Sequence, residues 1–255
     1  MSASRNTASS NGAAWSAGLV RDAARDLSTA AAAVLSSAVA IEYLAGFGPI
    51  YVLKVSVLFA VCAWFVWRGL PAAHPHSRLG AANRITLGRL GVAALLAAII
   101  GQQMARPDAV AWGIFVVATI AALLDLMDGY LARRSGLASD FGARFDMETD
   151  AWFTLVLCSL VVFFGKAGPW VLAAGLMRYA FVGASRFMPW LSAPLPPSTR
   201  RKAVCVTQIT TLIVCLGPII PVWASTALAG ISLAMLTWSF AVDVRALAAH
   251  RPGRV

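Results

Sequence analysis

Long apolar segments dominate this chain and leave it few folds to adopt. Its 255 residues are 59% hydrophobic and only 13% charged, whereas soluble domains are about half apolar and about a quarter charged. A helix of about 20 mostly apolar residues crosses a bilayer. Segments of that kind occur at 28–46, 50–69, 85–104, 109–132, 145–165, 168–188, 202–222 and 225–246. The sequence therefore predicts an all-α integral membrane protein with about eight transmembrane helices.

Polar interruptions divide the chain into five predicted parts. Residues 1–27 form a polar leader, and its segment 14–27 fits either a helix lying on the membrane surface or a solvated helix. The turn AGFG joins the first two apolar segments into a membrane hairpin over 28–69, and a Pro- and His-containing linker follows over 70–82. A six-span core over 83–247 and a basic tail over 248–255 complete the chain. We assign the hairpin to membrane anchoring or to contact with a second copy in a homodimer.

Basic residues are distributed unevenly between the two ends of the predicted spans. With a cytoplasmic N-terminus, the cytoplasmic segments contain Arg5, Arg21, Arg25, Arg68, Arg78, Arg84, Arg133, Arg134, Arg144, Arg200, Arg201, Lys202, Arg251 and Arg254. The loops on the other side contain only Arg106 and Lys166. This asymmetry predicts that both termini and the active site are cytoplasmic. We expect the membrane to be a bacterial inner membrane. Arg-rich loops facing anionic lipid also explain the net charge of +10 without a nucleic-acid partner.

Acidic residues concentrate in one stretch next to these spans. Six of the eleven acidic residues lie within 125–150, and carboxylates at membrane level are costly enough to indicate function. In a helix, one face within about 140° contains Asp125, Asp128, Gly129, Ala132 and Arg133. Because Gly129 and Ala132 have almost no side chain, this acidic face leaves room for a bulky ligand.

A second acidic face follows after a short polar connection. Gly142, Asp146 and Asp150 repeat at every fourth position, so the two helices can pack antiparallel with their acids opposed. Four converging carboxylates repel one another unless cations bind, and oxygen ligands favour Mg²⁺ or Mn²⁺. Two such ions suit displacement at the phosphorus of a pyrophosphate. The structural alternative is a set of solvated acids or of ion pairs with neighbouring arginines.

These residues resemble the signature of the CDP-alcohol phosphotransferase family. The matching stretch reads Asp125-x2-Asp128-Gly129-x2-Ala132-Arg133-x8-Gly142-x3-Asp146-x3-Asp150. Upstream, Asn83-x2-Thr86-x2-Arg89 is similar to the pattern that opens the family's first core span. The resemblance extends over the six-span core. It implies an enzyme of phospholipid biosynthesis that transfers the phosphatidyl group of CDP-diacylglycerol to an alcohol and releases CMP.

The resemblance also implies a role for each signature residue. Two ions, Mg²⁺ or Mn²⁺, would be held by Asp125, Asp128, Asp146 and Asp150. Asp150 would in addition act as the general base that deprotonates the acceptor alcohol. The pocket for the CDP-linked donor would be formed by Asn83, Thr86, Asp128, Gly129, Ala132, Arg133 and Gly142.

The acceptor alcohol is less closely defined by the sequence. An anionic acceptor needs cations, and the candidates are Arg178, Arg186, Arg200, Arg201, Lys202 and Arg245. Lys202-x5-Gln208 is similar to part of a pattern of the phosphatidylglycerophosphate and cardiolipin synthase branches, but Val204 and Cys205 depart from it. We therefore expect glycerol 3-phosphate or phosphatidylglycerol as the acceptor, with inositol phosphate, serine or another alcohol as alternatives.

Two other classes of protein stay open at this point. A transporter coupled to ions or protons would use acids distributed through the depth of the membrane and interrupted helices in paired halves. The acids here cluster at one end instead, and the Gly217-Pro218 interruption has no counterpart in another half. An inactive scaffold that retains the fold is the second alternative, and the complete signature argues against it.

Overall fold

The computed structural model is built from helices alone in the part of the chain that it describes. It describes residues 17–73, 78–135, 139–193, 195–196 and 198–249, without the side chains of 17, 71–73 and 126–135. The helices are α1 Ala17–Ala45, α2 Pro49–Ala73, α3 Ala81–Ile99, α4 Pro107–Ser135, α5 Asp140–Phe163, α6 Leu172–Phe187, α7 Thr199–Leu216 and α8 Val222–Ala249. Short 3-10 helices, Pro169–Val171 and Pro189–Ser192, precede and follow α6. The predicted all-α fold class is confirmed.

Five of these helices are long and apolar enough to cross a membrane. They lie at Gly18–Ala45, Pro49–Leu70, Ala81–Ile99, Pro107–Asp125 and Val222–Ala249. The other three predicted spans coincide with α5, α6 and α7. Of these, α6 has only 16 residues, whereas α5 and α7 carry charged side chains in their first turns. The chain is a multi-pass membrane protein.

Local sequence signals explain where several helices begin and end. Gly46 and Gly48 both have positive φ angles in the turn between α1 and α2, a conformation that glycine adopts at little cost. At the start of α5, the Ser139 hydroxyl accepts a hydrogen bond of 3.1 Å from the backbone N–H of Gly142. This cap satisfies one of the donors that a helix N-terminus leaves free.

Helix α3 occupies the centre of the molecule. It packs against α1, α2, α4 and α5. In its most apolar window 67% of the residues are buried, against 11% to 22% in the other four candidate spans. Because α3 is surrounded by protein on most sides, its polar residues Asn83, Thr86 and Arg89 are buried inside the protein.

The N-terminal hairpin of α1 and α2 packs along α3. The buried Tyr51 hydroxyl donates to the carbonyl oxygen of Leu95 over 3.1 Å, and Lys54 Nζ donates to that of Ile100 over 3.0 Å. The leader segment from residue 17 onward forms the first turns of α1, so it is continuous with the first span. Residues 1–16, residues 74–77 of the linker and residues 250–255 of the tail lie outside the described part of the chain.

Candidate active site

Three of the predicted acids meet at one end of the helices. Asp125 lies near the end of the described side chains of α4, whereas Asp146 and Asp150 lie one turn apart in the first half of α5. One carboxylate oxygen from each lies within 4.8 Å of the other two. The three side chains are partly exposed, so the cluster is open to ligands. Both α4 and α5 pack against α3, whereas the predicted direct packing of α4 on α5 is not found in the described part of the chain. Helix α3 therefore brings Asp125 next to the acids of α5.

A buried guanidinium group lies among the three carboxylates. Arg89, on α3, is only 1% exposed. Its Nη1 contacts Asp125 Oδ1 and lies 3.0 Å from Asp146 Oδ1, and its Nη2 donates to Asp150 Oδ1. The planar fork of an arginine suits this simultaneous contact with several carboxylates. Three negative charges and one positive charge leave a formal charge of two negatives, which matches one divalent cation.

The donor set of the site fits a hard divalent ion. Asp125, Asp146 and Asp150 offer only carboxylate oxygens, which are the ligands that Mg²⁺ and Mn²⁺ prefer. The acids are also accessible, as ions completed by substrate phosphates require. Asp128, the fourth predicted ligand, lies on α4 with its side chain outside the described part. The same holds for Gly129, Ala132 and Arg133.

Asn83 and Gly142 lie against each other beside the cluster. Asn83 is 5% exposed. A Cβ atom added to Gly142 would lie 2.8 Å from the Oδ1 atom of Asn83. The absence of a side chain at Gly142 therefore allows α3 to approach α5 at this point. Thr86 is buried as well, but its hydroxyl donates to the Ala82 carbonyl of its own helix. Asn83 therefore faces α5.

Three of the predicted acceptor-binding cations are paired with acids of neighbouring helices. Arg178 on α6 forms an ion pair with Glu148 on α5, and its Nη1 lies 2.8 Å from Met147 Sδ. Arg200 on α7 lies 2.5 Å from Asp243 on α8.

Arg200 also donates to the Ser239 carbonyl and hydroxyl oxygens, each over 2.6 Å. Arg201 lies 3.4 Å from Asp243. The side chains of Arg186, Lys202 and Arg245 are exposed. The structure thus assigns packing contacts to Arg178, Arg200 and Arg201 in addition to any contact with an acceptor.

An apolar cavity reaches one acid of the cluster, Asp125. It lies between α4 and α7, has a volume of about 270 Å³ and is lined by Phe115, Ile209 and Ile213 among others. Asp125 is part of its wall. A ligand that reaches the carboxylates through this cavity must therefore tolerate an apolar environment along most of its length.

Sequence reasoning missed the central role of Arg89. The Asn83-x2-Thr86-x2-Arg89 pattern contains this residue but does not predict that it contacts the acids. A cation within a mostly apolar span was the available signal, because a charge at that depth needs a partner. The two partners on α5 are 57 and 61 residues away along the chain, and the third, Asp125, is on another helix, so local periodicity does not identify them.

Fold and site together define a class: a multi-pass helical membrane enzyme with a carboxylate cluster for phosphate chemistry. A model of the CDP-alcohol phosphatidyltransferase family matches residues 79–242, and the chain belongs to this family. Searches of curated proteins and of solved structures find no significant match. The chain is therefore a transferase of substituted phosphate groups that uses a CDP-linked donor and an alcohol acceptor, in a family that depends on divalent metal ions. Membership in this family argues against the transporter alternative.

Proposed function

We propose that this enzyme transfers the phosphatidyl group of CDP-diacylglycerol to the hydroxyl group of an alcohol and releases CMP. The observation that carries the proposal is the cluster of Asp125, Asp146 and Asp150 around Arg89, which lies inside the family match. Acids on two helices and a cation on a third converge there, and the acids stay partly exposed, as phosphate-bound ions require. The reaction belongs to phospholipid biosynthesis.

The acids are the proposed ligands of two divalent ions, Mg²⁺ or Mn²⁺. Asp125, Asp128, Asp146 and Asp150 hold them, and the ions neutralise the pyrophosphate and the departing CMP when they are bound. Arg89 keeps the carboxylates close together by offsetting part of their repulsion. The three described acids and Arg89 together have a formal charge of −2. Asp128 adds one more negative charge, and this total attracts more than one cation.

The cavity between α4 and α7 supports a lipid-linked donor. Its wall is largely apolar, and it reaches Asp125, so an acyl chain in it places the attached phosphate next to the acids. Burial of a chain there contributes about 0.8 kcal/mol for each methylene group removed from water. In the proposed pocket Asn83, Thr86, Gly129, Ala132, Arg133 and Gly142 surround the cytidine diphosphate group.

Asp150 is the proposed general base. Its carboxylate accepts the proton of the acceptor hydroxyl group, and the alcohol oxygen then attacks the phosphorus that bears the diacylglycerol group. The bond from that phosphorus to the bridging oxygen of the pyrophosphate breaks, and CMP leaves. Arg89 Nη2 donates to Asp150 Oδ1, so it fixes the orientation of this carboxylate. No covalent intermediate with the enzyme is needed.

The proposed acceptor is glycerol 3-phosphate or phosphatidylglycerol. Both are anionic, and the proposed contacts are Arg178, Arg186, Arg200, Arg201, Lys202 and Arg245. The exposed side chains of Arg186, Lys202 and Arg245 support this assignment most directly. Inositol phosphate or serine is the alternative acceptor. Incubation of the purified protein with labelled CDP-diacylglycerol and each alcohol in turn, followed by identification of the lipid product, decides among them.

The first prediction concerns Asp150. We expect Asp150→Asn to reduce CMP release by at least about 100-fold, because the loss of a general base typically costs that much. The measurement is Mg²⁺- or Mn²⁺-dependent release of CMP from CDP-diacylglycerol by the purified protein. Asp108→Asn is the matched control, since Asp108 is an exposed acid in the first turn of α4, far from the cluster. Near-normal turnover of Asp150→Asn would show that another group is the base.

A further inference from the structure

The N-terminal end of α1 contacts the segment that begins α3. Asp22 Oδ2 accepts a hydrogen bond of 2.9 Å from the backbone N–H of Leu79. Asp26 Oδ2 accepts one of 2.7 Å from Arg84 Nε. Asp22 and Asp26 precede the family match, which begins at residue 79. The contacts therefore join a segment outside the matched region to the first residues inside it.

Leu79 connects this contact to the candidate active site. Its carbonyl oxygen accepts a hydrogen bond of 2.6 Å from Asn83 Nδ2, and Leu79 itself is buried. Asn83 in turn lies against Gly142 on α5, where an added Cβ atom would approach its Oδ1 to 2.8 Å. A continuous series of close contacts thus runs from Asp22 through Leu79 and Asn83 to Gly142.

Gly80 makes the position of Leu79 dependent on such a contact. Its φ of 84° lies in a region that other residues rarely adopt. The chain therefore turns sharply between Leu79 and the first turn of α3. Glycine has weak preferences for its φ and ψ angles, so Gly80 alone does not fix the position of Leu79. The hydrogen bond from Leu79 to Asp22 defines where the Leu79 peptide lies.

Exposure indicates which of the two acids matters more. Arg84 pairs with both acids, with Asp26 over 2.7 Å and with Asp22 over 3.4 Å, but its side chain is 52% exposed. Ion pairs with so exposed a partner contribute little. Asp22 binds the N–H of a buried residue, and a charged acceptor of a backbone N–H makes one of the stronger hydrogen bonds in proteins. The Leu79 contact is therefore the dominant connection, and the Arg84 pairs are secondary.

We propose that Asp22 is a positioning residue for the donor pocket, acting through Leu79 and Asn83 on the α5 face at Gly142. The N-terminal hairpin is in this view part of the catalytic unit and not only a membrane anchor. Tyr51 and Lys54 fix the other end of α3 by their bonds to the carbonyl groups of Leu95 and Ile100. The inference rests on the proposed function in that the pocket is taken to bind the cytidine diphosphate group.

The test compares Asp22→Ala with Asp22→Asn in the full-length protein. We expect Asp22→Ala to raise the KM for CDP-diacylglycerol about three- to tenfold, the effect of losing one hydrogen bond of this kind, with kcat changed less than about twofold. Asp22→Asn retains an oxygen that accepts from Leu79, so it should restore most of the affinity. Thr29→Ala is the matched control, because the Thr29 hydroxyl bonds only to the Arg25 carbonyl of its own helix among the contacts described.

Binding of CDP provides a readout that does not depend on turnover. In the presence of Mg²⁺, CDP should raise the thermal unfolding midpoint of the wild-type protein, and Asp22→Ala should need about three to ten times more CDP for the same shift. An unchanged KM and an unchanged CDP response in Asp22→Ala would overturn the positioning role. An equal loss of kcat and of unfolding midpoint in Asp22→Ala and Asp22→Asn would also overturn it, because that pattern belongs to a purely structural contact.

The two proposals fail in different ways. A wild-type protein that binds CDP but releases no CMP from CDP-diacylglycerol contradicts the proposed function, while the CDP titration still tests Asp22. A wild-type protein that releases CMP, with an Asp22→Ala variant indistinguishable from it, contradicts only the positioning role. A wild-type protein that neither binds CDP nor releases CMP contradicts both.

Discussion

Arg89 holds three acids at a distance where they would otherwise repel one another. It is buried to 1% exposure and contacts Asp125, Asp146 and Asp150 at once. Removing one partner of a buried ion pair leaves uncompensated charge and costs about 3–5 kcal/mol. Each acid retains some contact with solvent, so the lower end of that range applies here. The stability of the site without bound ions therefore depends on this one side chain.

The second prediction follows for Arg89→Met. We expect this variant to have a clearly lower thermal unfolding midpoint in the absence of divalent ions, because the three carboxylates lose their common counter-charge. Added Mg²⁺ should raise the unfolding midpoint of the variant by more degrees than it raises that of the wild type. The measurement is thermal unfolding in detergent with and without MgCl₂. Arg106→Met, at an exposed loop position, is the control, and a midpoint for Arg89→Met equal to that of the control would contradict the prediction.

The chemistry of individual residues was predictable where spacing alone decided it. Asp125, Asp146 and Asp150 were placed together from the helical repeat, and the structure brings their oxygens within 4.8 Å. Arg178 was predicted from the cost of a charge within a span, and the structure gives it Glu148 as a partner. That ion pair joins α6 to α5. The partner therefore depends on how the two helices pack, which the residue pattern of either helix alone does not show.

At the scale of helices, close approach of α1 to α3 explains a glycine outside the signature. A Cβ atom added to Gly91 would lie 2.5 Å from Val34 Cγ2, which is closer than side chains can approach. Val34 and its neighbours pack into the space that Gly91 leaves. The N-terminal hairpin therefore contacts α3 along its length, and the Asp22 contact is only one end of this interface.

The third prediction tests that interface with Gly91→Ala. We expect this change to destabilise the protein by about 1–3 kcal/mol, because inserted carbon atoms force shifts in a packed region. Thermal unfolding of the purified protein measures it. Gly88→Ala on the same helix is the matched control, since nothing lies within 4 Å of an added Cβ atom there.

A compensating change makes the Gly91 test specific. Val34→Ala removes the methyl groups that the new Cβ atom would meet, so the double variant should be more stable than the sum of the two single changes predicts. Strict additivity of the two changes would contradict direct contact between Val34 and residue 91.

The sequence predicted the number of helices but not all their lengths. The eight apolar segments correspond to α1–α8, whereas α1 begins at Ala17, eleven residues before the apolar segment at 28–46. Asp22 and Asp26 are charged, as solvent-facing residues usually are. The apolar pattern therefore excludes their segment from the first predicted span. The partners of these acids are Leu79, which precedes α3, and Arg84 in the first turn of α3, and only the tertiary structure brings these residues together.

At the scale of the whole molecule, the two ends of the helical bundle differ in chemistry. One end contains the Asp22–Leu79 contact, the acids around Arg89 and the Arg200–Asp243 pair. At the other end the cations mainly bond to free carbonyl groups: Lys166 Nζ donates to Gly217 and Ile220, and Lys54 donates to Ile100. The acids around Arg89 and the Arg200–Asp243 pair therefore lie at the same end of the bundle.

The last prediction is the orientation of this bundle. Because short loops rich in arginine stay in the cytoplasm, we expect the end with the acids and Arg200 to be cytoplasmic and the loops with Arg106 and Lys166 to be outside. Alkaline phosphatase fused after residue 106 or residue 166 should be active in bacterial cells, and the same enzyme fused after residue 138 or residue 249 should be inactive. Green fluorescent protein at the same four positions provides the control, since it fluoresces only in the cytoplasm. The reverse pattern would place the acids outside, away from cytoplasmic CDP-linked donors and divalent ions, and would contradict the proposed function along with the orientation.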